Sequence, residues 1–217
     1  MAYEWDIFIS YKKDYSSSID KYSLALRKRW LSEIFLPYLV FALQGELGRD
    51  PKIFWDEQGL DTGDDYANKL IQELSRSKCL IAILSNPYFY DSEWCLREFC
   101  FMKLRFTTSR EQFPNTYIFP FLFQPTNTAH PLLSDIHFSN FIKYNKVGKA
   151  FTESEDFLKF QDDISRTASE LSDVIRQPPA WNDRWTTKEW RDEVDQLVSQ
   201  YRQLTLDQKV SSTSVQL

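Results

Sequence analysis

Short apolar blocks and longer stretches of helical periodicity succeed one another along this chain. The first block, Tyr3 to Ser10, reads as a strand that ends in a polar loop, Tyr11 to Ser18. From about Asp20 the period becomes helical, with Trp30, Leu31, Ile34, Phe35, Tyr38 and Ala42 on one side. Pro37 should kink or split that helix, and Gly45 and Gly48 mark its end. Lys52 to Trp55 is a short second strand, followed by an Asp/Gly-rich loop from Asp56 to Asp64. Tyr66, Ala67, Leu70, Ile71 and Leu74 then form a helical stripe. The third strand, Cys79 to Leu84, lacks alternation, as a parallel strand covered on both faces should.

After the turn Ser85-Asn86-Pro87, Asp91 or Ser92 is placed to cap a new helix. Trp94 and Glu98 sit one turn apart on one face of it, while Cys95, Phe99, Met102 and Phe106 make a core stripe. Tyr117 to Leu122 predicts a fourth strand, although Pro120 is awkward inside a central strand. His130 to Asn140 reads as loop, and Phe141 to Tyr144 as a fifth, edge strand. A helix is expected from near Glu153 to Arg176, on the apolar line Phe157, Phe160, Ile164, Ala168, Leu171 and Ile175. Pro178-Pro179 breaks the chain, and Thr186 to Glu189 has the pattern of a capping box. Trp190, Val194, Leu197, Val198 and Tyr201 make a last amphipathic helix, and the Ser/Thr-rich end after Gln208 should fray.

Strand and helix alternate five times, which predicts an α/β fold: a doubly wound, flavodoxin-like five-stranded parallel sheet flanked by helices. Ligands of such sheets sit beyond the carboxyl ends of the strands. The loop after Ser10, the acidic loop after Trp55 and the turn leading to Glu98 all converge there.

Composition narrows the chemistry. A net charge of -5 does not suit a nucleic-acid surface. No window is long and apolar enough to span a bilayer, and the N-terminus has no signal-peptide pattern, so no membrane partner is expected. Cys79, Cys95 and Cys100 lack CxxC spacing, which points to reduced thiols and a cytoplasmic location. With only His130 and His137, no metal-ligand cluster is expected.

Three boxes carry a family resemblance. Tyr3 to Ser10 with Tyr11 resembles the opening box of the Toll/interleukin receptor (TIR) domain family. Phe54-Trp55-Asp56 with Asp61-Thr62-Gly63-Asp64 is similar to that family's second strand and following loop. Ser92-Glu93-Trp94-Cys95-Leu96-Arg97-Glu98 resembles its S-x-W-C-x-x-E helix start. Order and spacing agree over roughly Tyr3 to Tyr144. The long first helix region up to Gly48 and the Trp-rich end after Pro178 depart from the pattern. The division implied is a TIR domain over 1–177, a Trp-rich linker and C-terminal amphipathic helix over 178–207, and a flexible tail over 208–217.

TIR domains are either assembly modules or NAD+-cleaving enzymes, and the resemblance implies Glu98 as the catalytic residue of the second kind. The expectation is an NAD+ glycohydrolase or ADP-ribose cyclase of prokaryotic anti-phage immunity, active on self-assembly; the alternative is a non-catalytic scaffold. Other TIR domains, and a partner effector or sensor protein, are the macromolecular partners implied. Cleavage of the nicotinamide–ribose bond releases neutral nicotinamide through an oxocarbenium-like transition state, which one carboxylate can stabilise. With no GxGxxG or GxxxxGK[ST], NAD+ is expected as substrate and no cofactor is expected.

Ser10, Tyr11 and Lys12 are placed to contact ribose or phosphates; alternatively Ser10 caps a loop and Lys12 is solvated. Trp55 could stack on a base or be a core ring, and Trp94 could wall the site. The acidic loop with Asp61, Gly63 and Asp64 would repel pyrophosphate, so it reads as a lid or self-association surface, or as merely solvated. Cys95 at a helix N-terminus is either an activated thiol or a packing residue.

Overall fold

A computed structural model describes residues 3–12, 25–55, 64–113, 116–126 and 131–213, the backbone alone for 64–67 and 205–213. Five strands, β1 (Trp5–Tyr11), β2 (Ile53–Trp55), β3 (Ser77–Leu84), β4 (Ile118–Leu122) and β5 (Ser139–Asn140), form one sheet in the order β2-β1-β3-β4-β5. Every pairing is parallel. This is the flavodoxin-like order, with the switch point between β1 and β3. The inner strands are apolar and buried almost throughout, because helices cover both faces of a parallel sheet.

Pro120 is accommodated in β4 by register. Tyr117 and Phe123 bond toward β3, whereas Leu122 offers its carbonyl to Phe141 on the β5 side. Pro120 shares the parity of Leu122, so its missing N–H faces the β5 side. There β5 pairs only from Phe121 onward, and no ladder bond is lost.

The first helical region is interrupted just before Pro37. Residues 25–30 (α1) run into a π-helical turn, Leu31–Phe35, and then into α2 (Leu36–Leu47), with Pro37 in the first turn of α2. The Leu36 N–H bonds to the Leu31 carbonyl, five residues back. The wider turn precedes the proline and keeps Trp30, Leu31, Ile34 and Phe35 buried together. Gly48, at φ 68°, caps α2 in the left-handed conformation, while Gly45 lies inside the helix.

The remaining helices are α3 (Asp64–Ser75), α4 (Asn86–Tyr90), α5 (Glu93–Ser109), α6 (Lys149–Thr152), α7 (Glu155–Arg176) and α8 (Lys188–Thr213). The fifth strand is shifted from its expected place. Phe141 still bonds to Leu122, but Ile142–Tyr144 is a 3-10 turn and pairing is confined to Ser139–Asn140. Phe141 and Tyr144 are both buried; a spacing of three brings them to one side in a 3-10 turn but to opposite faces in a strand.

The Trp-rich end packs onto the same body. Trp185 lies 3.9 Å from the Arg105 guanidinium, and the ring of Trp190 lies 6.0 Å from that of Phe101. Arg105 is buried with no carboxylate partner among the described residues; it donates to the Ser77 carbonyl and to the Tyr3 hydroxyl and lies over aromatic faces. Thr187, rather than Thr186, caps α8 by accepting from the Trp190 N–H at 3.2 Å, so Glu189 does not complete a capping box. Helix α8 continues to Thr213, through the first part of the segment expected to be a flexible tail.

Candidate functional site at the carboxyl end of the sheet

Ser92 starts α5. Its backbone is extended and its hydroxyl accepts from the Cys95 N–H at 3.3 Å, the arrangement of an N-cap. Helical spacing then sends Trp94, Arg97, Glu98 and Phe101 to one side. They face Leu70, Ile71 and Leu74 of α3 across a crevice of about 10 Å³.

Glu98 is only 6% exposed. Burial of a carboxylate is costly unless donors compensate it. Ser10, next to last in β1, gives its hydroxyl proton to Glu98 Oε2. The same Ser10 Oγ lies 2.6 Å from the Tyr88 hydroxyl of α4. A buried chain Tyr88–Ser10–Glu98 therefore joins β1, α4 and α5. Burial, then the nearby Cys95 and Glu98, push the Tyr88 phenol well above its ordinary pKa.

The sequence-derived candidates take up different places. Ser10 contacts Glu98 rather than capping a loop. Tyr11 is buried, with its ring 6.4 Å from that of the half-buried Trp55. Lys12 is 3% exposed, which overturns its reading as a solvated lysine, and its carbonyl accepts from Arg27 at 2.7 Å. Trp94 walls the crevice beside Glu98, with the Arg97 guanidinium 5.5 Å from its ring centroid. Tyr11, Lys12 and Trp55 are not among the described residues lining that crevice. Asp61 and Gly63 lie outside the described residues; Asp64 opens α3, and its side chain is outside them too.

Two features of the site had no signal in the sequence. Tyr88 sits in the turn segment before the capped helix, in the apolar run Tyr88-Phe89-Tyr90, where nothing distinguishes it from a core ring. Arg97 is clamped by Asp195 of α8 and by Glu93, and Arg202 reaches Glu93 at 3.1 Å, so the last helix braces the start of α5. Cys95 is buried, and burial pushes the Cys79 and Cys100 thiols far up, so neither of those two is poised as a nucleophile. Among the described residues no His, Cys, Asp and Glu side chains group as a metal site. No described helix is long and apolar enough to cross a membrane.

Comparison with known proteins gives the following. No characterised protein matches this sequence significantly. Among solved structures 15 chains match. One is the structure of the activated Roq1 resistosome directly recognizing the pathogen effector XopQ (TIR domains). It is 18% identical, covers 91% of this chain and 98% of its own, and has a TM-score of 0.33. The family model described as TIR domain matches residues 39–154. That span is more than half of the 217 residues and contains the crevice and Glu98, and the chain belongs to the TIR domain family.

Proposed function

We propose that this protein is an NAD+ nucleosidase, with Glu98 as the carboxylate that stabilises the ribosyl cation as nicotinamide leaves. The observation that carries the reading is a carboxylate buried at the carboxyl end of the sheet, held by a serine hydroxyl and walled by an indole. In such a low-dielectric setting a fixed negative charge stabilises developing positive charge far better than water does. Nicotinamide departs as a neutral base, so the reaction needs no general acid, and no second carboxylate lines the crevice among the described residues. Water or the adenine ring then takes the ribose carbon, giving linear or cyclic ADP-ribose.

A crevice of about 10 Å³ has no room for a dinucleotide, so catalysis by this site requires an opened or completed state. Self-association is the proposed means, with NAD+ and other TIR domains as partners and the segment containing Asp61, Gly63 and Asp64 as the contact. The same closure favours a second reading, a non-catalytic TIR scaffold in which Glu98 serves the fold.

The test is nicotinamide release from NAD+ by concentrated protein, beside Glu98→Gln. Release should fall at least about a hundredfold in the variant if the carboxylate stabilises the transition state. Equal release by both proteins would remove Glu98 from catalysis. No release by the wild type at any concentration would favour the scaffold.

A further inference from the structure

We propose that Tyr88 is a positioning residue that acts through Ser10 to hold Glu98 ionised and oriented. This rests on the nucleosidase reading for its consequence in catalysis, but not for the contact itself.

The direction of the chain follows from counting protons. Ser10 has one hydroxyl proton and gives it to Glu98 Oε2. The 2.6 Å contact with Tyr88 must then be made by the phenol proton, with Ser10 Oγ accepting. A protonated Glu98 facing Ser10 through the same oxygen would have to donate; with Tyr88 donating as well, Ser10 would accept twice and its own buried proton would lose its acceptor. The phenol ring is held inside the protein by edge contacts with Phe89 and Phe99, at 5.0 and 6.5 Å between ring centroids, which keeps its oxygen beside Ser10. Its proton is also hard to remove, because burial raises its pKa. A fixed donor at the far end thus favours the ionised form at the near end.

Described charged groups near Glu98 have partners of their own. Arg97 shares the crevice and is engaged by Asp195 of α8 and by Glu93. On α5, Cys95 and Cys100 face Tyr88 together with Glu98. Among the described residues of α3, Leu70, Ile71 and Leu74 line the crevice, while Glu73 of that helix is engaged by Trp5 at 2.6 Å. Lys12 follows Ser10 by two residues, just past the end of β1, and its carbonyl accepts from Arg27.

The experiment is an infrared titration of the Glu98 carboxyl, isolated by difference against Glu98→Gln, in wild type, Tyr88→Phe, Ser10→Ala and the double variant. Phenylalanine keeps the ring contacts and removes only the hydroxyl. In Tyr88→Phe the Glu98 titration should rise by about one pH unit, and in Ser10→Ala by at least as much. Adding Tyr88→Phe to Ser10→Ala should change nothing further, since the path is already broken. The acid limb of nicotinamide release should move by the same amount in Tyr88→Phe, with KM unchanged. An unmoved Glu98 titration in Tyr88→Phe overturns the proposal, as does an equal shift with and without Ser10. If Tyr88→Phe does not fold, an unmoved titration in Ser10→Ala overturns it. The infrared result stands whether or not NAD+ is cleaved, so failure of the positioning role and failure of the nucleosidase reading are told apart.

Discussion

Single residues in this protein do work that the polarity pattern hides. Asp6 is buried at the amino end of the sheet. Arg49 grips both its oxygens at 2.6 and 2.9 Å, Lys78 reaches it at 2.8 Å, and the Lys52 N–H at 2.9 Å. Burial alone would raise its pKa, but these donors outweigh burial and lower it from 3.8 to about 2. A carboxylate with a depressed folded pKa contributes stability that is complete above its unfolded value and is lost as pH falls toward the folded one. Part of the acid unfolding should therefore develop between about pH 4 and pH 2. Asp6→Asn should lose about 1–2 kcal/mol near neutrality, discounted because Arg49 is half exposed, and should flatten that limb. Urea titrations at several pH values measure both. Asp6 and Glu98 look alike in the sequence, as acids beside apolar residues. Glu98 was legible because Ser92 and a four-residue spacing place it on a helix face; Asp6 was not, because its partners lie 43 to 72 positions away.

At the scale of elements, departures from regular geometry keep the core filled. The π turn before Pro37 joins two helical pieces that bury Trp30, Phe35 and Leu39. Its end depends on Gly48, whose φ of 68° any side chain would resist, although a Cβ there would meet no neighbour. Gly48→Ala should therefore cost about 1 kcal/mol through backbone strain alone, and Gly45→Ala, in the helix with open space around it, should cost nothing or stabilise. Thermal unfolding of the pair separates the two effects. Strand content was readable from apolar runs, because a buried parallel strand needs nothing else. The shift of the fifth strand was not, since Phe141 and Tyr144 fit a strand or a 3-10 turn until their neighbours are known.

Over the whole molecule, the C-terminal segment is part of the body. Trp185 closes over Arg105, Trp181 donates to the Ser75 carbonyl at 3.2 Å, and Tyr3 donates to the Pro179 carbonyl at 2.8 Å. Trp185→Ala should cost about 3 kcal/mol or more, combining a cavity with the uncovering of a buried cation. Removal of residues 178–217 should lower Tm further and expose Phe101 to a hydrophobic dye. A truncated protein with unchanged Tm would show the segment to be an accessory.

The sequence by itself determined the parallel α/β architecture, the capped start of α5 and the side of that helix on which Glu98 lies. These follow from local rules of periodicity and capping that neighbouring residues enforce. Only the tertiary structure decided that Ser10 links Tyr88 to Glu98, that Lys12 is buried, and that the tryptophans after Pro178 turn inward. Those outcomes depend on which distant polar groups share one desolvated space, and a buried charge carries no mark of its partner in one dimension.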